Sequence, residues 1–257
     1  MLTIFTCPKP FEGHIGIIQE NAVRSWMKLP IPVEIILFGD EPGIAEVSEW
    51  YGVRHIRDIK KNRYGTPLLN DVFEQAYCHA VYTTPCYVNA DIILLPDIIL
   101  ALRNVQESIC SNYLLVGQRW DLDTGNRVNR HPPLGSDFFV FPKETRIQLP
   151  PFAIGRAGWD NWMIYHALKS GITVIDISPV TTVIHQNHSY NHIKDGTGQA
   201  YENPESDENL KIVKGSPFTL QNVAYTLTAT GLEYDEGVSL HTHLKLLKRV
   251  VREMMKQ

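Results

Sequence analysis

The hexapeptide Val33–Phe38 (VEIILF) puts apolar side chains on both faces of any strand it forms. Such a strand is at home only in the middle of a sheet whose two sides are covered by helices, the usual setting of a parallel sheet. The neighbouring segments supply those helices. Residues 14–29 carry Ile15, Ile18, Ala22, Trp26 and Leu29 at steps of three and four, the spacing of an amphipathic helix, and Pro30 and Pro32 end it. A short strand at residues 2–6 precedes it. After Gly39-Asp40 the alternation continues: a helix over 44–51, a strand over 53–56, and a helix opened by Thr66 as N-cap and Pro67 at its first position. A strand over 86–88, a helix from Pro96 to about residue 109, and the strand Tyr113–Val116 follow. Helix and strand in alternation predict a mostly parallel α/β sheet clad on both faces.

From Trp120 the rhythm changes. Residues 121–135 are polar and rich in turn formers, and a strand is expected over 138–141. A helix over 159–168 and strands over 172–177 and 181–184 come next. Residues 188–209 read as a polar loop or lid. The tail from residue 241 is helical, with Leu244, Leu247, Val251 and Met254 on one face and Lys245, Lys248, Arg249, Arg252 and Lys256 forming a cationic one. That helix suits either an anionic membrane surface or packing on the domain with its lysines in water.

The 257 residues suffice for one large domain without staples. A net charge of −4 argues against general nucleic-acid binding. Cys7, Cys78, Cys86 and Cys110 form no CxxC pair and read as buried thiols of a reducing compartment. With no cationic, apolar leader and no apolar run of spanning length, the chain reads as cytoplasmic, with the inner face of a membrane as its candidate contact.

The chemistry concentrates in Tyr87-Val88-Asn89-Ala90-Asp91-Ile92-Ile93, where a carboxylate ends a buried strand. Open α/β sheets bind ligands at the carboxyl ends of their strands. Enclosing Asp91 without compensation costs several kcal/mol, roughly, so it calls for a cation; a divalent ion shared with a diphosphate would serve, and so, more simply, would a turn that the carboxylate caps.

The succession of first strand, long helix, VEIILFGD, a Gly-Thr-Pro helix start and YVNADIILL resembles the nucleotide-binding half of GT-A glycosyltransferases. Asn89-Ala90-Asp91 resembles their DxD motif with Asn in the first place. The resemblance spans about residues 1–190 and is similar in layout to chlorovirus-type and bacterial polysaccharide glycosyltransferases. It implies a Rossmann-like, twisted, mostly parallel sheet. Residues 1–118 would form the nucleotide-sugar half, 119–190 an acceptor and metal half, and 191–257 a flexible loop and helical extension. It implies a UDP- or GDP-type sugar donor, Mn²⁺ or Mg²⁺, and a glycan or lipid-linked acceptor.

By the same resemblance, Asp91 holds the metal, joined by His185 or His188 and less readily by His192. Asn89 and Ala90 lie against the donor. Thr6, Cys7, Pro8 and Asp40 match nucleoside-contact positions, although Asp40 is equally a turn residue. Lys60, Lys61, Asn62, Arg63 and Gly65 precede a helix start, where free N–H groups favour a phosphate; a solvated basic loop is the plainer reading. Arg119 offers a planar fork to pyrophosphate or sugar hydroxyls, beside Trp120, Asp121 and Asp123. Ser136 and Asp137 are further donor or acceptor contacts. Asp160, in the first turn of a helix bearing Trp159 and Trp162, matches the acid that deprotonates the acceptor in inverting members. Two other readings stay open: a nucleotidyltransferase, which would want a Gly-rich basic loop after the first strand, and a non-catalytic carbohydrate-binding protein using the tryptophans as platforms.

Overall fold

The computed structural model describes residues 1–109, 111–123, 125, 127–188, 203–215 and 217–255. The expected α/β architecture is present. A nine-stranded sheet runs β13-β12-β10-β6-β9-β4-β1-β2-β3. Its strands are β1 (Leu2–Thr6), β2 (Val33–Phe38), β3 (Arg54–Ile56), β4 (Pro85–Val88), β6 (Tyr113–Val116), β9 (Phe138–Val140), β10 (Thr173–Asp176), β12 (Tyr225–Thr228) and β13 (Gly231–Tyr234). A second sheet, β5-β11-β7-β8, is built from Ile92–Leu94, Val183–Gln186, Trp120–Leu122 and Val128–Arg130.

Burial on both faces of the main sheet follows from period-two alternation. Phe5, Ile36 and Phe38 enter one core with α3 (Leu69–His79) and α5 (Trp159–Lys169). Leu2, Ile4, Ile35 and Leu37 enter the other, with α1 (Gly13–Met27), α2 (Ile44–Tyr51) and α4 (Asp97–Ser108). The first core is strongly aromatic: Phe5 meets Phe73 edge-on at 5.0 Å, and Tyr87 meets Trp159 edge-on at 5.2 Å. Trp159 and Trp162 are therefore core residues first, 5% and 8% exposed.

Several expectations are corrected. The helix expected from Thr66 and Pro67 begins at Leu69, because Lys61 bridges Pro67 and Leu68 bridges Ala153 in short extended pairings. Residues 121–135 are not all turn: β7 and β8 form a hairpin there, closed by Asp123, which accepts from the N–H groups of Gly125 and Arg127. Of the polar segment 188–209, residues 204–209 belong to a helix, α6 (Pro204–Val213), whose N-cap Asn203 accepts from the Ser206 N–H. His192 and residues 189–202 lie outside the described residues. Residues 225–234 form a hairpin that the periodicity did not announce; β12 extends the main sheet beside β10. The last helix, α7 (Glu236–Met254), starts five residues before the expected 241. Cys78 is exposed rather than buried, Cys86 is buried and Cys7 intermediate, all as free thiols, while Cys110 lies outside the described residues. No helix among the described residues is long and apolar enough to cross a membrane.

Two topological details position the functional edge. β1, β4, β6 and β10 all run the same way, so their carboxyl ends share one edge. β9 runs antiparallel between β4 and β6, with Val88 opposite Phe138. Its amino end, not its carboxyl end, thus delivers Ser136 and Asp137 to that edge. In the small sheet, β11 sets His185 opposite both Ile92 of β5 and Asp121 of β7.

The two layers are tied by Trp26, wholly buried on α1, whose Nε1–H donates to the Ile92 carbonyl at 2.9 Å. Trp26→Ala is expected to lower unfolding free energy by about 3–5 kcal/mol. Trp26→Phe, which keeps most packing but orphans that carbonyl, should lose about 1–3 kcal/mol. Urea unfolding midpoints would test the order.

Candidate active site

The shared strand edge opens into a cavity of about 720 Å³. Of the residues singled out in the sequence, it is lined by Cys7 and Pro8 after β1, by Thr66 and Pro67 before α3, and by Asn89, Ala90 and Asp91 after β4. Arg119, Ser136, Asp137, Trp159, Asp160, His185 and His188 line it as well. Residues far apart in the chain are thus brought to one place; Asp91 and His188, which are in direct contact, are 97 residues apart.

Asp91 lies at the floor. Its Oδ2 is 3.2 Å from His188 Nε2 and 3.6 Å from His185 Nε2. Its Oδ1 is buried and has no hydrogen-bond partner among the described residues. Enclosure alone would raise its pKa, yet His185 and His188 oppose that strongly and hold the carboxyl well below the usual range. Each of the three offers a ligand atom, all within 4.8 Å of one another. The outer ring nitrogen of His185, Nδ1, is 2.8 Å from Asn187 Oδ1 and 3.3 Å from Asp121 Oδ1. That leaves Nε2 directed at Asp91, with the ring oriented by the Asn187 amide oxygen and backed by the Asp121 carboxylate, an outer arrangement of the kind that orients metal-binding imidazoles.

A chain of charge-assisted bonds continues outward. Asp121 accepts from Arg119 Nε at 2.8 Å and meets His131 Nδ1 at 2.9 Å. The other arm of Arg119 donates to Asp137 at 2.6 Å, and Asp137 also accepts from the Asn89 amide at 2.7 Å. Asn89 in turn accepts from the Tyr87 hydroxyl at 3.0 Å. Arg119 therefore clamps two carboxylates to each other, and Asn89 spaces β4 from the β9 turn; both still border the cavity.

Asp160 stands in the first turn of α5, after Gly158, whose φ of +88° turns the chain into the helix. Its Oδ2 accepts from the Ser136 N–H at 3.3 Å. A Cβ on Gly135 would come within 2.6 Å of that oxygen, so any larger residue there would displace the Asp160 carboxylate. Enclosure, reinforced by the nearby Asp137 charge, pushes the Asp160 carboxyl up to about 6.

Other residues expected at the site lie elsewhere. Thr6 is buried beneath the cavity floor in β1. Asp40 is exposed and paired with Lys61, which also reaches Glu41 at 3.4 Å. Asn62, Arg63 and Gly65 do not border the cavity. Asn62 donates to Glu205 at 2.7 Å, and Arg63 pairs with Glu208, so both fasten their loop to α6. Trp120 lies on β7 under Arg130, off the cavity. In their place the structure brings in three residues that the sequence reading passed over. Lys9 borders the cavity on a loop that Gln19 pins by accepting from the Lys9 N–H and donating to its carbonyl at 2.8 and 2.9 Å. Arg156 borders it while bonded to Glu205 at 2.6 Å. His131 borders it from the end of β8. A lysine three residues past a buried strand end was the one available signal.

No protein-family model and no curated protein matches the sequence. Solved structures match by fold. Residues 1–349 of S. aureus TarS, crystallised with UDP-GlcNAc, align with a TM-score of 0.52 and 11% identity over 76% of this chain and 61% of that one. GalNAc-T7, crystallised with UDP, GalNAc and Mn²⁺, aligns with a TM-score of 0.55 and 13% identity over 83% of this chain and 48% of that one. This chain spans less than two thirds of the length of either. The likeness is one of fold, the GT-A α/β fold that the sequence leads one to expect.

Asp160 also makes a stability prediction. Its folded pKa exceeds the unfolded value of about 3.9, so its contribution is complete below pH ~4 and is lost as pH rises through about 6. Asp160→Asn should therefore match the parent near pH 4 and exceed it by about 2–3 kcal/mol at pH 8. Urea unfolding at both values measures this.

Proposed function

We propose that the chain is a metal-dependent glycosyltransferase that moves a sugar from a nucleoside-diphosphate sugar to a hydroxyl of a glycan or lipid-linked acceptor. The observation that carries the reading is the group Asp91, His185 and His188 on the floor of a GT-A cavity that also holds Asp160. Both aligned neighbours hold UDP species, which makes UDP sugars the first donors to test.

The donor set fits a divalent cation: one carboxylate with a buried, unpartnered oxygen and two imidazoles, one of them braced by Asp121. Two nitrogen ligands favour Mn²⁺ over Mg²⁺, which prefers oxygen donors throughout. Such an ion would supply Lewis-acid stabilisation of the charge that develops on the departing diphosphate. Asp91, His185 and His188 would hold it. Lys9, whose ammonium is kept in the cavity near Asp91, adds a second positive charge on the leaving-group side. Asp160 accepts the proton of the acceptor hydroxyl as the anomeric carbon is attacked. A carboxyl with a pKa of about 6 is a stronger base than a solvated aspartate and is still ionised at neutral pH. Ser136 and Gly135 keep that carboxylate in place. Arg119, bound to Asp121 and Asp137, acts by holding the histidine brace rather than by touching phosphate.

Three measurements test this. Thermal unfolding with UDP should rise on adding Mn²⁺ for the parent chain and not for Asp91→Ala, because a ligand that binds only the folded state stabilises it by mass action. Asp121→Asn should weaken Mn²⁺ binding about 10- to 100-fold. Asp160→Asn should slow transfer by about 10²–10⁴-fold while UDP binding stays unchanged, and the parent's kcat/KM should climb through about pH 6. Release of nucleoside diphosphate, rather than pyrophosphate or nothing, separates this reading from a nucleotidyltransferase or a binding protein.

A further inference from the structure

Helix α7 packs on the domain with the side opposite to the one its hydrophobicity suggests. Its inward face is mostly polar, with Leu246 packed against the core. Thr242 donates to the Asn222 carbonyl at 3.0 Å, Lys245 donates to the Pro217 carbonyl at 2.7 Å, and Arg249 donates to the Val213 carbonyl. Lys245 and Arg249 also lie over the rings of Phe218 and Tyr165 at 4.3 and 3.6 Å. The outward face carries Leu240, Leu244, Leu247, Val251 and Met254, every one at least 47% exposed. Their spacing alternates between four and three residues, so they form one continuous stripe along the helix. Lys248 and Arg252, both exposed and one turn apart, run along one side of that stripe. An apolar stripe of this length in water has a cost that a partner must relieve.

We infer that this face of α7 lies on an anionic lipid surface. The stripe would enter the headgroup–acyl boundary while Lys248 and Arg252 reach lipid phosphates from its flank. The charge pattern favours this occupant. The chain as a whole has a net charge of −4, yet Lys248 and Arg252 flank the body of the stripe, and Glu236 at the very start of the helix is the acidic residue on the outward side. A second copy paired antiparallel on the same stripe would set the Lys248 edges of the two helices side by side, which like charges oppose. The placement has a use. Val213 and Pro217, whose carbonyls α7 holds, both border the cavity. A membrane touching α7 would therefore lie close to the rim through which an acceptor enters, and a lipid-anchored acceptor would be held near Asp160. Only this last step rests on the glycosyltransferase reading; the lipid contact does not.

Co-sedimentation of the full chain with vesicles of phosphatidylcholine alone, and of phosphatidylcholine mixed with phosphatidylglycerol, tests the inference. Binding is expected to the mixed vesicles only, and to weaken as salt rises. Lys248→Glu with Arg252→Glu should reduce it at least about tenfold. Leu244→Ser with Leu247→Ser should reduce it as far, with an unfolding midpoint lowered only by the small helix-propensity cost of the two serines, since both leucines are about half exposed. Asp91→Ala should bind vesicles like the parent, which keeps failure of the lipid contact distinct from failure of the catalytic reading. Absence of binding to the mixed vesicles, equal binding to both vesicle types, or binding untouched by both double variants would overturn the inference. So would light scattering that shows a dimer dissolved by the Leu244/Leu247 variant, because the stripe would then belong to a second copy.

Discussion

Everything around the cavity answers to one demand, that the negative charge of Asp91 be compensated where water cannot do it. The compensation comes from two imidazoles carried on or just past a single strand, and β11 can offer them only in one register. A slip of one residue would turn His185 to the opposite face of the sheet. The register is held from both sides, by β5 leading directly from Asp91 and by β7 bearing Asp121. Gln186 reinforces it from the next position, donating to the Ile18 carbonyl at 2.8 Å and to the Asp91 carbonyl at 3.2 Å. A small four-stranded sheet thus exists less for its own core than to present a carboxylate and two rings to one point.

The charges are also arranged in alternation. Proceeding outward from Asp91 one meets His185, Asp121, Arg119, Asp137 and the Asn89 amide, each paired with a neighbour of opposite character. In a low-dielectric setting such a chain is stable while complete and fragile if one member is removed, because each group left behind is a buried charge without a partner. Asp160 stands apart from this order. It receives only N–H groups, feels the like charge of Asp137, and is correspondingly more basic. The two aspartates differ in surroundings, and that difference moves their carboxyl groups in opposite directions, Asp91 down and Asp160 up.

Much of this could be read from the chain. Val33–Phe38 and Ile44–Tyr51 begin and end where periodicity puts them, because Pro32, Gly39 and Gly52 leave no freedom at their borders. Asp91 was legible because a strand end is visible locally and parallel topology brings strand ends together, whereas the resemblance to GT-A enzymes is what marks Asp160, His185 and His188. What escaped was decided at long range. Three cations in residues 60–63 look like an anion site, but the fold gives each a carboxylate: Lys60 meets Asp71, Lys61 meets Asp40 and Glu41, and Arg63 meets Glu208 of α6, 145 residues downstream. The direction of β9 could not be inferred from FFV, a segment equally apolar either way; yet its reversal is what makes Ser136 and Asp137 neighbours of Asn89. The β12–β13 hairpin carries too little alternation to announce itself, and the start of α3 was displaced by extended pairings that only the folded chain provides.

That reversed strand also bears on how such a chain can diversify. The segment between β6 and β9 departs from the sheet at Gly117 and comes back to it at Asp137. Its two ends are stapled by the Ser136 hydroxyl, which donates to the Gly117 carbonyl at 3.1 Å. Residues can be inserted, deleted or exchanged at the tip of the β7–β8 hairpin without altering the register of any strand in the nine-stranded sheet. The excursion nevertheless borders the cavity through His131 and Leu134. The base of this outgrowth, with Arg119 and Asp121, is bound to His185 and Asp137, so freedom to vary what meets a ligand is confined to the part beyond them, where His131 and Leu134 face the cavity.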